Sequence, residues 1–130
     1  MYDDGQPMTR SVESHWIYSS DDRVRYSVAK SRYQDKDYTT LKTMINDKYD
    51  GVRLWVAMGL YDNKDYDTLK TMIDDSYDGV RTYVGKGLVD AEDWNTLEKF
   101  LNKEKNVWVK NDIEKYTRDK ILEKHFGRSI

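Results

Sequence analysis

The chain has no cysteine, and it has only one proline and two histidines among its 130 residues. The absence of cysteine excludes disulfide bonds, thiolate metal sites and a cysteine nucleophile. His15 and His125 lie near opposite ends of the chain, and neither belongs to a metal-binding or catalytic motif. We therefore expect no metal ion, no cofactor and no enzymatic activity.

Long apolar segments and a strong charge of one sign are also missing. No run approaches the roughly 20 apolar residues of a membrane span, and the N-terminal segment lacks a signal-peptide core. Lysine and arginine number 22 against 24 aspartate and glutamate residues, for a net charge of −2. This balance creates no general attraction to nucleic acid or to an anionic membrane. We expect a cytoplasmic protein that does not bind membranes.

The chain does contain an internal repeat. Residues 36–63 align with 64–91 without a gap, and nine of the 28 pairs differ while the other 19 are identical. Residues 8–35 and 92–119 align as weaker copies, which is typical of terminal repeats that expose one side to solvent. We expect a flexible lead-in at residues 1–7 and a single domain at residues 8–130, with a helical extension ending near Phe126.

Each clear copy has the pattern of two short helices. Apolar residues at intervals of three and four follow Asp37 and its counterpart Asp65, which are suited to the N-cap. Asp50 and Asp78 are expected to cap the second helices. The spacing assigns these core positions to the second helix of the first clear copy: Val52, Trp55, Val56, Gly59 and Leu60. The glycine indicates close approach of a neighbouring helix. The sequence thus predicts an all-α fold, a short α-solenoid of about four helix pairs.

The turn and second helix of both clear copies have the pattern D-x-x-D-G-V-R-x-x-V-x-x-G-L. This pattern resembles the short HEAT-like repeats named after phycobilisome lyases. The resemblance implies a ladder in which turn aspartates and second-helix arginines link successive repeats. Its members here would be Asp47, Arg53, Asp75 and Arg81, with Arg25 and Lys110 as flanking positions. The terminal copies have Ser19 and Glu104 in place of the aspartate.

The differences between the clear copies indicate a surface, because five of the nine fall in the second helix. The stripe opposite the predicted core comprises Tyr26, Lys30, Tyr33, Leu54, Met58, Tyr61, Thr82, Lys86, Val89, Asn111, Lys115 and Arg118. Second helices line the concave face of HEAT-like proteins, so the resemblance implies that these side chains share one surface. An exposed stripe that is apolar and aromatic in its middle predicts a binding site for a protein partner.

Several alternatives remain open at this point. The stripe is also compatible with ordinary surface or with burial in a dimer. Its basic members and a resemblance to HEAT-like DNA glycosylases suggest nucleic-acid binding, against which the net charge argues. A role as an accessory subunit of an enzyme such as a chromophore lyase rests on the resemblance alone. The leading hypothesis is a non-enzymatic protein-binding module, an inhibitor or adaptor of a larger protein complex.

Overall fold

The computed structural model describes residues 16–127, and every regular element within that range is a helix. These helices are α1 Asp22–Gln34, α2 Tyr38–Lys42, α3 Asp50–Asp62, α4 Tyr66–Lys70, α5 Asp78–Asp90, α6 Trp94–Lys103 and α7 Val107–Phe126. The all-α prediction is therefore confirmed. The predicted lead-in at 1–7 and residues 8–15 of the predicted first repeat lie outside the described residues. Within that range, no helix is both long and apolar enough to cross a bilayer.

The chain divides into two compact units, residues 1–59 (unit 1) and residues 60–130 (unit 2). In unit 1, α1 packs on α2, and the buried apolar residues are Val28, Ala29, Leu41, Met44, Val52, Val56 and Ala57. In unit 2, α5 packs against α4, α6 and α7. The buried apolar residues there include Leu69, Met72, Val80, Val84, Leu88, Leu97, Phe100, Val109 and Ile113.

Aspartates cap the first helices of three successive copies in the same way. Asp37, Asp65 and Asp93 each accept a hydrogen bond at Oδ1 from the backbone N–H three residues later, at 3.3 Å. A carboxylate in this position satisfies one of the N–H groups that have no partner inside the helix, and it favours the positive end of the helix dipole. The N-caps predicted at Asp37 and Asp65 are confirmed.

The second helices begin differently from the prediction. In unit 2 the N-cap of α5 is Tyr77, whose side chain makes no capping bond, and Asp78 is the first helical residue. The carboxylate of Asp75 instead accepts the Tyr77 N–H at 2.9 Å, which fixes the turn before the helix. The expectation that Asp78 would be the N-cap is wrong, although its charge still favours the first turn of the helix.

The first helices of the clear copies are shorter than their apolar stripes suggest. α2 ends at Lys42, and the N–H groups of Met44 and Ile45 then bond to the carbonyl oxygens three residues earlier. This tighter i to i−3 pattern is common at helix ends. It still buries Leu41 and Met44, which are 1% and 4% exposed.

A glycine in the second helix of each clear copy makes room for the first helix of the same copy, as predicted. In unit 2, a Cβ added to Gly87 would lie 2.7 Å from Cδ2 of Leu69. In unit 1, a Cβ on Gly59 would clash in the same way with Cδ2 of Leu41. Since Leu41 and Leu69 are each 1% exposed, they have little space into which to move.

Three second helices end in the same left-handed turn without using glycine. Lys36, Lys64 and Glu92 have φ angles of 58°, 58° and 56°. In each case the N–H of this residue and that of the next bond back to the helix, as Lys64 N–H does to Tyr61 C=O and Asp65 N–H to Leu60 C=O. This is the Schellman arrangement, in which glycine is the usual residue because it has no Cβ to clash.

Replacing Lys64 by glycine is therefore expected to raise the free energy of unfolding by about 1 kcal/mol, since glycine removes the Cβ strain of the left-handed conformation. Urea denaturation measures the change. The control is Lys99→Gly inside α6, where glycine is expected to lower stability by about 1 kcal/mol. A Lys64→Gly protein that is as destabilised as the control would contradict the assigned turn geometry.

Arginines of the second helices bond to the turns on either side of them. In unit 1, Nε of Arg25 donates to Oδ2 of Asp47 at 2.8 Å, and Nη1 of Arg53 donates to the backbone oxygen of Asp47 at 2.9 Å. The carboxylate of Asp47 thus binds Arg25 of the preceding copy. The backbone carbonyl of Asp47 binds Arg53, which belongs to the same copy as Asp47. Arg25 and Asp47 are both almost fully buried, with side chains 6% and 8% exposed.

Unit 2 contains the corresponding contacts of a later repeat. Nη1 of Arg81 donates to the backbone oxygen of Asp75 at 2.9 Å. Its Nε and Nη2 donate to the two carboxylate oxygens of Glu104 at 2.8 and 2.9 Å. Glu104 therefore replaces the turn aspartate in the last copy, in spite of its longer side chain.

α7 is the longest helix and continues well beyond the repeat. It runs for 20 residues to Phe126, where Gly127 ends it in the left-handed conformation with φ 75°. The end lies where the sequence predicted it. Three apolar residues in this last part of the helix, Ile121, Leu122 and Phe126, are 41%, 38% and 67% exposed.

Candidate functional site

Unit 1 has four aromatic rings in contact along one side, which we call the unit 1 aromatic cluster: Tyr26, Tyr33, Tyr49 and Trp55. The indole of Trp55 lies 5.9 Å from the ring of Tyr26 and 5.2 Å from that of Tyr33, centroid to centroid. The corresponding interplanar angles are 68° and 44°. Offset and tilted ring pairs at these distances are favourable because ring edges meet ring faces.

This cluster lies partly in solvent. Tyr26 and Tyr49 are 36% and 37% exposed, and Trp55 is half-buried. Leu54 and Met58, on the same helix as Trp55, are half-buried as well, and Lys30 is exposed. The helical repeat places positions 54, 55 and 58 on one face of α3, so the predicted residues of unit 1 lie beside these rings.

Trp55 was assigned to the core from its spacing, and that assignment is wrong. The buried positions of α3 include Val56 and Ala57, both 0% exposed, so the buried arc extends past Val56 on the side away from Trp55. Ala57 is small enough for close packing, whereas the indole remains at the edge of the arc and contacts the tyrosines of α1. Tyr83 in α5 is half-buried in the same way.

Unit 2 has a second group of rings, the unit 2 tyrosine cluster: Tyr61, Tyr66, Tyr83 and Tyr116. The ring of Tyr61 lies 6.5 Å from that of Tyr66 and 5.8 Å from that of Tyr83. The hydroxyl oxygens of Tyr61 and Tyr116 are 2.6 Å apart, and the Tyr116 hydroxyl donates to Oδ1 of Asp90 at 2.7 Å. Because the Tyr116 proton points to Asp90, we infer that Tyr61 donates to Tyr116. Tyr61, predicted as a free contact residue, is thus bound within unit 2.

Two lysines place their ammonium groups on this cluster. Nζ of Lys86 lies 5.6 Å from the ring centroids of both Tyr83 and Tyr116. Nζ of Lys120 lies 5.4 Å from the centroid of Tyr116. Both distances fall within the range of cation–π attraction. Lys86 was predicted as a partner-binding residue, and the structure places its charge on rings of its own unit.

The remaining predicted residues of unit 2 differ in their exposure. Val89 was expected to be exposed but is 2% exposed, because α7 packs along α5. It lines a cavity together with Tyr66, Trp94 and Ile121. Lys115 forms an ion pair with Asp119 at 2.9 Å, and Arg118 is exposed. Lys86 and Lys115 therefore both contact groups of their own unit.

Alkaline titration is expected to show Tyr61 and Tyr116 ionising above the ordinary tyrosine pKa of 10.0. Burial raises the pKa of Tyr61 to about 12, and burial, followed by hydrogen bonding to Tyr61, raises the pKa of Tyr116 well above its ordinary value of 10.0. Raised folded-state pKa values mean that the neutral hydroxyls contribute stability below pH 10, and this stability is lost as the pH rises through the folded-state values.

Ultraviolet absorbance of tyrosinate measures this titration. Tyr61→Phe and Tyr116→Phe should each remove one group that ionises late. Titration of all tyrosines in one step near pH 10 in the folded protein would contradict the hydrogen-bonded cluster.

Unit 2 also has two cavities, of about 510 and 410 Å³. In the larger one, Arg81 is paired with Glu104 and Lys103 with Asp74. In the smaller one, Lys124 is paired with Glu92 at 3.2 Å. These charges bind one another. Within residues 16–127, no group of three or more histidine or carboxylate side chains is placed to hold a metal ion.

Sequence reasoning did not identify five members of the two clusters, Tyr49, Trp55, Tyr66, Tyr83 and Tyr116. It also missed Asp90 as the hydrogen-bond acceptor of Tyr116. One signal was available for Tyr116, because it aligns with Gly59 and Gly87, the positions at which the two clear copies need a glycine to admit a first helix. A large side chain at that position indicates that no first helix packs there. Comparisons with protein-family models, with curated proteins and with solved structures gave no match.

Proposed function

We propose that this chain is a non-enzymatic protein-binding module, an inhibitor or adaptor of a larger protein complex in the cytoplasm. In this proposal the helix pairs stack as a short HEAT-like solenoid, and a protein partner packs on the second helices. The 28-residue repeat and the buried arginine–carboxylate contacts between copies within each unit support the stacking.

The observation that carries the proposal is the exposed part of the unit 1 aromatic cluster. Tyr26 keeps 36% of its surface in solvent although its ring contacts two others. Leu54 and Met58 lie on the same face of α3 and are also only half-buried. Tyrosine, tryptophan and methionine are enriched in the central parts of protein interfaces, where they bury large area at low cost in conformational entropy.

The internal repeat supplies a variant that the scaffold already accepts. Leu54→Thr/Met58→Lys gives α3 the residues that α5 carries at Thr82 and Lys86, so folding should be retained while the apolar surface is lost. Immobilised protein is used to capture proteins from a lysate of the source organism, and the captured proteins are quantified by mass spectrometry. We expect the double variant to lose at least about tenfold of any specific partner, since losing a central interface contact costs more than about 1.4 kcal/mol.

The matched control is Thr39→Asp/Asn46→Asp, which also transfers residues from the following copy, Asp67 and Asp74. Both positions are exposed and lie outside α3. This variant should capture partners as the original protein does. Equal capture by the Leu54→Thr/Met58→Lys protein would rule out this face as the binding site.

A further inference from the structure

We propose that the unit 1 aromatic cluster binds a guanidinium group, supplied by an arginine side chain of the protein partner and stacked on the indole of Trp55. The proposal rests on the proposed function and names the chemistry by which the partner is recognised. It predicts a partner surface with an exposed arginine at the centre of the contact.

The second clear copy has a pair of rings that corresponds to Tyr33 and Trp55, and a cation lies on one of them. Tyr33 and Trp55 lie 5.2 Å apart in unit 1, and their counterparts 28 residues later, Tyr61 and Tyr83, lie 5.8 Å apart in unit 2. In unit 2 the ring of Tyr83 has a cation on it, since Nζ of Lys86 lies 5.6 Å from its centroid. The same scaffold therefore already holds a positive charge against a ring at this helical position.

In unit 1 the residue that corresponds to Lys86 is Met58, which has no charge. Across the described range, 16–127, no ammonium or guanidinium group lies over the indole of Trp55. Trp55 should also bind a cation more strongly than its counterpart Tyr83, because indole attracts cations more strongly than phenol does. The first clear copy thus has the stronger π-face, that of Trp55, and it has the uncharged Met58 at the position where the second clear copy has Lys86.

The two tyrosine rings beside Trp55 favour a planar cation. Tyr26 and Tyr33 are inclined to the indole by 68° and 44°, so their rings flank the indole without lying parallel to it. A guanidinium group is flat, delocalised and less strongly hydrated than an ammonium group, and it stacks on aromatic faces. Arginine is also among the residues most enriched at the energetic centres of interfaces. These properties assign the contact to arginine.

The test compares N-acetyl-arginine amide with N-acetyl-citrulline amide, which has nearly the same shape and no charge. Each compound is titrated into the full chain, and the indole N–H signal of Trp55 is followed by NMR, identified by its absence in Trp55→Leu. The expected result is a saturable shift with the arginine compound at a concentration about two- to fivefold lower than with citrulline, as the size of an exposed cation–π contact implies.

Two variants keep the result interpretable if Trp55→Leu is poorly folded. Met58→Lys places a lysine where unit 2 has Lys86, and its ammonium should compete for the ring and weaken the response to the arginine compound. Trp108→Leu removes an indole that is 77% exposed, and it should leave the Trp55 response unchanged.

Equal responses to arginine and citrulline would overturn the guanidinium assignment while leaving an apolar docking face intact. Absence of a Trp55 shift with either compound would overturn it too, as would an unchanged arginine response in Met58→Lys. The proposed function is tested by a separate measurement. It fails if the Leu54→Thr/Met58→Lys protein captures partners as well as the original protein does.

Discussion

Arg81→Met is expected to lower the free energy of unfolding by about 3–5 kcal/mol, because it leaves a buried carboxylate without its cation. The side chain of Glu104 is only 3% exposed, and that of Arg81 is 21% exposed. The guanidinium supplies two of the donors to this carboxylate, at 2.8 and 2.9 Å. The remaining contact is the backbone N–H of Asn106 at 3.0 Å. Methionine fills similar volume, so lost packing contributes little to the change.

Chemical denaturation of three further variants defines the cause. Lys103→Met removes a pair of similar length, 2.7 Å from Asp74, but its partners are 76% and 71% exposed. It should therefore cost less than about 0.5 kcal/mol. Glu104→Met alone leaves a cation without its partner, whereas Arg81→Met/Glu104→Met removes both charges and should recover most of the loss. A double variant that is as unstable as the sum of the singles would contradict the ion-pair explanation.

Acid should reduce the stability difference between the original protein and Arg81→Met. The hydrogen bonds from Arg81 lower the pKa of Glu104 below its ordinary value of 4.5. A lowered folded-state pKa contributes stability that is fully present above pH 4.5 and is lost as the pH falls through the folded-state value. In Arg81→Met this contribution is gone, so the stability difference between the two proteins should shrink as the pH falls below 4.5. A difference that stays constant with pH would contradict the assignment to Glu104.

The sequence was informative wherever structure is determined locally. The N-caps at Asp37 and Asp65, the division of each clear copy into two helices and the stop at Gly127 all depend on residues within one turn of the feature. The role of Gly59 and Gly87 was predictable for a related reason. A glycine in an otherwise apolar helical stripe lowers helix stability, and close packing of a neighbouring helix is the usual compensation.

The sequence did not predict which side chains are buried by packing against a neighbouring helix. Helical spacing locates a buried arc but does not say which of its two edges a neighbour will cover, so Trp55 was placed in the core and Ala57 was given no role. Val89 is buried because α7 packs along α5. The weak similarity of the last copy to the others gave no measure of that packing.

The candidate site was predictable only in part for the same reason. Tyr26, Leu54 and Met58 were identified from the stripe opposite the core, and they remain partly exposed. Tyr61 was not distinguished from them, because its partner Tyr116 is 55 residues away in sequence. Whether a tyrosine is available to a partner thus depended on a hydrogen bond that only the folded chain reveals.

Gly85→Val is the second substitution with a large expected effect, a loss of about 3 kcal/mol or more in the free energy of unfolding through overpacking. A Cβ at Gly85 would lie 2.7 Å from both Cγ1 and Cδ1 of Ile113 and 3.1 Å from Cε2 of Phe100. Ile113 and Phe100 are 0% and 4% exposed, so neither can move into solvent. The pair 57/85 is one of the nine differences between the clear copies, and in unit 2 it is explained by the approach of α7.

Gly85→Ala distinguishes packing from helix propensity. Alanine favours the helix by about 1 kcal/mol over glycine, so a net loss in Gly85→Ala would show that the contacts with Ile113 and Phe100 outweigh this gain. Ile113→Val removes Cδ1, and Gly85→Ala/Ile113→Val should therefore be more stable than the sum of the single changes predicts. Denaturation of the four proteins measures the coupling. If Gly85→Ala stabilises the chain, or if the two changes are simply additive, α7 does not pack on Gly85 as closely as the structure shows.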